Sequence, residues 1–474
     1  MSEWGALQAR LQEVEAEQID VRFSDLAGHW HQLSIPASRC SELAADPQAL
    51  LTINGALIPG WSEVTDAELV LRPDPATAFA DPFSATPALA VIAQACEAAT
   101  GLDYDGDPRA VASRALAFAE RKHVADHIAV AFDFDCHIVE RANFDVGVGQ
   151  CAASFADRSL NAGSVHDTGL GVPLNGAAAM TGGFSMPPGD SAADIRAEMA
   201  AALRALAVPG VAHNAGSSPA LNCFSFPPCA WLDACDSVQI AKFVIRQVAA
   251  SYGRTATFLP KPLPLGPNDK SPGAGLAIRL GLHHRGKPVF AGSGYADLSS
   301  TCSHFIAGII AHGQALNALT NPTTNSYRRL RPDREAPAMW AYAAHNHSAA
   351  VRIPFTQSPD AKAIDLRFPD PTCNIYLAMA AILLAGIDGI ERKLDPGDAV
   401  DRNLYNLSAT EGLDLKPLCR SLDEALAALE ANHEFLLAGD VFSETLIQNY
   451  IALKRQEIAR IEAVPHPAEL ALYW

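Results

Sequence analysis

The sequence predicts an α+β fold in two unequal parts, a small and mostly β N-terminal part followed by a larger part that mixes strands and helices. Three observations carry this prediction. Short alternating segments punctuated by Pro, Gly and Asp fill roughly the first hundred residues. An Asp107-Pro108 pair then supplies a helix start, with Asp as N-cap and Pro at N1. Beyond it, period-2 segments such as AFDFDCHIVE (131–140) alternate with helices that carry one apolar face.

Taken in order, the first helix is predicted from about Ser2 to Glu17, where apolar and charged residues follow a helical period. IDVRFSDLAG, HWHQLSIP and LLTINGALIPGW then read as the strands and turns of the small β part. LRPDPATAFADPFSATPALAVIAQAC adds strands separated by Pro and Asp turns. The helix PRAVASRALAFAERKH opens the larger part, placing the expected domains at 1–104 and 105–474. Asp190 or Ser191 is the expected cap of SAADIRAEMAAALRAL. LPKPLPLGPNDKSPGAG (259–275) reads as a loop of the kind that covers sites. Residues 303–319 show a 3.6-residue apolar face, and the stretch from LDEALAALEANHEFLLAG to YIALKRQEIARIEAV reads as helical.

Composition excludes several classes of function. Of 474 residues, 49% are hydrophobic and 19% charged, proportions that suit a globular protein with a sizeable core. A formal charge of −18 argues against nucleic acid or an anionic membrane as partner. The N-terminus has no signal-peptide pattern, and the most apolar run, YLAMAAILLAG, is too short to span a bilayer. A cytoplasmic protein is expected. The ten cysteines include no CxxC pair, and Cys223, Cys229 and Cys235 match no zinc spacing, so all are expected to be reduced and structural.

The 131–140 strand raises the question of chemistry. Phe132, Phe134, Cys136 and Ile138 form one apolar face, while Asp133, Asp135 and His137 share the other. Like charges at i and i+2 repel, and a cation would balance them.

Further strings lend the chain a resemblance to a known family. NPTTNSYRRL (321–330), EAPAMWAY (335–342), VRIPF (351–355) and RFPDPTCNIYLAMAAILLAGIDGI (367–390) occur in order, with DPFSATPAL, DGDPRAVASRA and PPGDSAADIRAEM upstream and PHPAELALYW at the end. Together they resemble the glutamine synthetase family over nearly the whole length. The resemblance implies a β-grasp-like N-terminal domain, a curved antiparallel sheet with outer helices, and a homo-oligomer of stacked hexameric rings with sites between neighbours. It also implies ATP-dependent phosphorylation of a glutamate carboxylate and displacement of the phosphate by ammonia or an amine. Such chemistry uses two divalent cations, Mg²⁺ or Mn²⁺, to neutralise phosphate charge.

Carried over residue by residue, the resemblance is uneven. Asp133 and Asp135 match the two metal-binding glutamates of the family's E-x-E strand, each one methylene shorter. Two further metal glutamates fall at Asn214 and Asn222, which trade anions for neutral amides. The family's histidine ligand falls at Ala277 of GAGLAIR, its nucleotide-contacting histidine at Arg279, and an asparagine that helps hold glutamate at Pro272. Asp365 matches the last metal ligand, and His137 is the candidate substitute for the missing histidine, although a lone histidine more often packs or hydrogen-bonds. The ammonium-binding aspartate falls at Asn54, with Leu57 in place of a serine. Glu335 matches the flap glutamate. Arg329 matches the arginine that holds the substrate α-carboxylate, and Arg352 and Arg367 match those that reach phosphate, whereas a fourth arginine is His347. The competing structural role of these arginines is to pair with nearby acids and hold the fold.

This pattern implies a glutamine synthetase-like protein with weakened metal and ammonium sites, unable to make glutamine, that keeps a pocket for an amino acid-like or nucleotide ligand. The alternative is a diverged ATP-dependent carboxylate–amine ligase in which Asp133, Asp135, Asp365 and His137 hold one Mg²⁺ or Mn²⁺.

Overall fold

Two sheets organise the chain, and each follows from the alternation in its strands. The computed structural model describes residues 3–46, 51–61, 67–147, 150–157, 159, 183–187, 189–263, 269–332, 335–406 and 414–466. The opening helix spans Glu3–Glu13 and stops four residues short of the predicted end. Glu15 takes a left-handed backbone with φ 50°, which turns the chain into the strand Gln18–Ser24. Ser2 lies outside the described residues, as do 467–474 at the end of PHPAELALYW.

The N-terminal sheet has five strands in the order Trp30–Pro36, Gln18–Ser24, Ala88–Glu97, Glu68–Ala80 and Thr52–Asn54. Gln18–Ser24 runs parallel to Ala88–Glu97, and the other pairs are antiparallel. The predicted turn chemistry appears inside a strand. The register shifts between Asp74 and Phe79, where PDPAT forces a bulge in Glu68–Ala80.

The larger sheet has nine strands. Its path runs Tyr342–Ala344, Val351–Ile353, Ile364–Leu366, Leu276–His284, His127–Val139, Leu221–Ala230 and Ala212–Ala215. Thr255–Thr257 joins His127–Val139, and Lys287–Pro288 joins Leu276–His284. All its pairs are antiparallel except the first two strands of the path. The strand read from AFDFDCHIVE is thus central and longer than its motif. Phe132, Phe134, Cys136 and Ile138 are each at most 2% exposed, so the apolar face is indeed buried.

Helices cover that face, and one hydrophobic cluster runs from Leu7 to Ile458 through both sheets. The apolar run from Tyr376 lies in the helix Ile375–Arg392, most of which is buried in the core. Asn374 caps it, accepting from Tyr376 N at 3.1 Å and donating to Asp25 O at 2.9 Å, which ties this helix to the N-terminal part. Residues predicted as one helix from 303 to 319 form two, Ser300–Ala311 and Gly313–Thr320, which meet at His312. The helical reading of the C-terminal stretch matches Leu422–Ala431 and Glu444–Glu462. Among the described residues no helix is long and apolar enough to cross a membrane, and all ten cysteines are free.

Candidate functional site

Strand register brings distant residues into rows on the large sheet. Asp365 stands opposite Arg279 on one neighbouring strand and opposite Arg352 on the other. Asp133 lies between Ala277 and Ser225, and Asp135 lies opposite Cys223, which in turn faces Asn214. Side chains directly opposite on neighbouring strands share a face, so six strands far apart in sequence build one surface.

On that surface the Asp365 carboxylate is already occupied. Arg279 grips it with two donors, Nε to Oδ1 at 2.7 Å and Nη2 to Oδ2 at 3.1 Å. Arg352 Nη1 approaches Oδ2 from the other side at 3.6 Å. The Asp365 hydrogen bond holds Arg279 firmly protonated, and Asp133 adds to the effect. Asp133 is exposed and accepts a hydrogen bond from Ser225 Oγ at 2.7 Å.

The second expected metal position is engaged in the same way. Asn222 Oδ1 accepts from Arg196 Nη1 at 2.6 Å, and its amide donates to Ala220 O at 2.8 Å. Arg196 is buried and also pairs with Asp190 through both Nη atoms. Asp190 is therefore an ion-pair partner and not the predicted helix cap. The helix is Ala193–Ala205, and neither Asp190 nor Ser191 is its N-cap. Asn214 donates to Ala215 O at 2.9 Å. Asp135 accepts from Gly275 N at 3.1 Å, and desolvation pushes its carboxyl up while bonds from Cys223 and Gly275 oppose that.

His137 departs from its expected role. It is 2% exposed, and burial followed by the charge of Lys261 pushes it down to about 3, so it is neutral at pH 7. Among the described residues no group of three or more His, Cys, Asp or Glu side chains is placed to hold a metal ion. The donors present therefore do not fit the expected ion. Asp365 is paired with a guanidinium, Asn222 faces another, and among the described residues His137 does not join Asp133, Asp135 and Asp365 in one cluster.

The expected anion-binding residues divide in two. Arg329 is buried and spends its donors on backbone, with Nη1 to Phe368 O at 3.0 Å and Pro369 O at 3.2 Å, and Nη2 to Arg367 O at 3.0 Å. Arg352 and Arg367 instead converge on His347. Arg352 Nη1 donates to its Nε2 at 3.1 Å, and Arg367 Nη1 contacts its Nδ1. Desolvation and then the two guanidiniums push His347 down to about 4, leaving the ring neutral and able to accept at one of its two nitrogens. Glu335 is exposed with φ 53°, and its carbonyl accepts from Tyr405 Oη at 3.1 Å. Asn54 lies on the edge strand of the other sheet, where it caps its own turn by accepting from Ala56 N at 3.0 Å. Leu57 beside it is 77% exposed.

Sequence reasoning placed Arg279 only as a substitution and missed Arg196 altogether. The available signal was the arginine of GLAIR two residues after Ala277, whereas nothing in DIRAEM singled out Arg196.

The fold is that of a glutamine synthetase. The chain superposes on the cryo-EM structure of Plasmodium falciparum glutamine synthetase with a TM-score of 0.86 at 23% identity, covering 100% of this chain and 99% of that one. A GmaS/ADP complex is similar at a TM-score of 0.77 and 25% identity, covering 98% and 99%. Family models described as "Glutamine synthetase, beta-Grasp domain" and "Glutamine synthetase, catalytic domain" match residues 15–98 and 105–473. Glutamine synthetase of Azorhizobium caulinodans is 38% identical over 97% of both chains, and that of Escherichia coli K12 is 38% identical over 98% of both. The chain belongs to the glutamine synthetase family.

Proposed function

We propose that this member of the family does not make glutamine and keeps its cleft as a binding site for an amino acid-like or nucleotide anion. One observation carries the reading, the two-pronged grip of Arg279 on Asp365 at 2.7 and 3.1 Å. A carboxylate held in this way has one lone pair on each oxygen taken and its charge offset by the guanidinium, which also repels a divalent ion. The neutral Asn214, Asn222 and Asn54 fit the same reading, since ammonium capture and metal binding both depend on anionic side chains. We further propose domains at 1–104 and 105–474, assembly as a homo-oligomer of hexameric rings, and residence in the cytoplasm, for which ten free cysteines suit a reducing compartment.

The test is calorimetric titration of the purified protein with Mn²⁺, with and without a non-hydrolysable ATP analogue, alongside an assay for glutamine from glutamate, ammonium and ATP. The expected outcome is no Mn²⁺ binding in either condition and no glutamine. Metal-dependent glutamine formation would sink the reading. The second reading, a ligase for another amine, draws on the 38% identity to glutamine synthetases and the exposed carboxylate of Asp133. Nucleotide-dependent Mn²⁺ binding that vanishes in Asp133→Asn would favour it.

A further inference from the structure

We propose that Arg279 is a built-in cation that lets this site hold a phosphate or phosphoryl oxyanion with no divalent metal ion. The inference rests on the reading above and deepens it by naming the ligand chemistry and the residue that makes the site independent of metal. Three guanidiniums, those of Arg279, Arg352 and Arg367, are joined through Asp365 and His347. Against them stand the carboxylates of Asp365 and Asp133, so the cluster carries one net positive charge at neutral pH. Such a cluster draws anions and disfavours cations.

Two further features point to an oxyanion. The Nε atoms of Arg352 and Arg367 are shielded from solvent and have no hydrogen-bond partner among the described residues. Buried donors of this kind are costly when unpaired, and a ligand oxygen would satisfy them. Arg279 and Arg352 also line an open cleft of about 370 Å³, walled by Ala131, Pro354 and Phe355, with Lys362 and Asp360 both at its edge. Planar guanidinium forks match the paired oxygens of phosphate better than a point charge does. A metal-bridged site would need the Asp365 oxygens free, whereas here the bridge between acid and anion is covalently part of the strand Leu276–His284.

Free phosphate and the phosphoryl group of a nucleotide share this chemistry. The experiment therefore titrates the full-length protein by calorimetry with inorganic phosphate and, separately, with a non-hydrolysable ATP analogue, each in EDTA and in Mn²⁺. The expected result is binding of at least one probe with a Kd that differs by no more than about twofold between EDTA and Mn²⁺. The probe that binds identifies the source. Binding that requires Mn²⁺, or no binding of either probe, would overturn the proposal.

Arg279→Gln is expected to weaken binding by at least about tenfold. Because it strands the Asp365 charge, the double variant Arg279→Gln/Asp365→Asn is compared with Asp365→Asn alone, with circular dichroism as the check on folding. A folded double variant that binds as tightly as Asp365→Asn would rule out the role of Arg279. Glutamine formation together with metal-free phosphate binding would sink the functional reading alone. No glutamine and no Mn²⁺ binding, with neither phosphate nor the ATP analogue bound in EDTA, would sink this inference alone.

Discussion

The carboxylate of Asp236 accepts from Arg109 Nε at 3.1 Å and Nη2 at 2.9 Å and from the Tyr376 hydroxyl at 2.6 Å, with all three residues buried. Arg109 also reaches Asp74 at 2.9 Å, so the network joins the bulged N-terminal strand to the helices of the larger part. Removing one partner of a buried ion pair leaves a charge without compensation. Asp236→Asn is expected to cost on the order of 3 kcal/mol, measured by urea unfolding, while Asp74 retains part of the Arg109 charge. A loss below about 0.5 kcal/mol would show that the network contributes little to stability. None of these contacts was legible in the sequence, because partners 127 and 140 residues apart meet only after the helices pack. Arg279 differs in kind. The arginine of GAGLAIR could be read, but its grip on Asp365 depends on the register that sets the two opposite each other.

At the scale of single elements, the helix Pro108–Arg121 was fully legible. Asp107 caps it by accepting from Ala110 N at 2.8 Å, and its other oxygen accepts from Ala95 N at 2.9 Å. Burial pushes this carboxyl from 3.8 up to about 6 against both amides. The folded protein thus binds more protons than the unfolded chain between these values. This group favours folding most below pH 4, and its contribution declines as pH rises through 6. Relative to Asp107→Asn, the wild-type protein is expected to lose about 3 kcal/mol between pH 3.5 and pH 7, from roughly two pH units at 1.36 kcal/mol each. Unfolding curves at both pH values check this, and a difference that is constant with pH would refute it. The helices Ser300–Ala311 and Ile375–Arg392 cross where a Cβ on Gly308 would lie 2.0 Å from Ala385 O and one on Gly389 2.2 Å from His304 O. Gly308→Ala should therefore force the pair apart and cost about 2–3 kcal/mol, lowering the thermal midpoint. The break at His312 escaped the periodicity, since both halves are rich in buried apolar residues.

For the whole molecule, the hairpin Arg141–Gly147 with Gln150–Ala156 forms a separate two-stranded sheet in which Phe144 is 81% and Val146 62% exposed. A lone hairpin is marginal in water, and two exposed apolar residues on it suit burial against another copy of the chain. In the proposed oligomer, Phe144→Ser/Val146→Ser is expected to shift sedimentation velocity toward smaller species. An unchanged distribution would place assembly elsewhere. By itself the sequence determined the α+β class, the alternation of the strand at 131–140 and the family, because these are local in type, period and order. Tertiary structure alone decided what the singled-out side chains touch. It buried His137 outside any cluster of acids, turned Arg329 onto backbone carbonyls, and set Arg196 against Asn222 and Arg279 against Asp365, all among the described residues. The physical reason is that the charge state and free lone pairs of a side chain are set by the neighbours that strand register and packing bring to it, and those neighbours are distant along the chain.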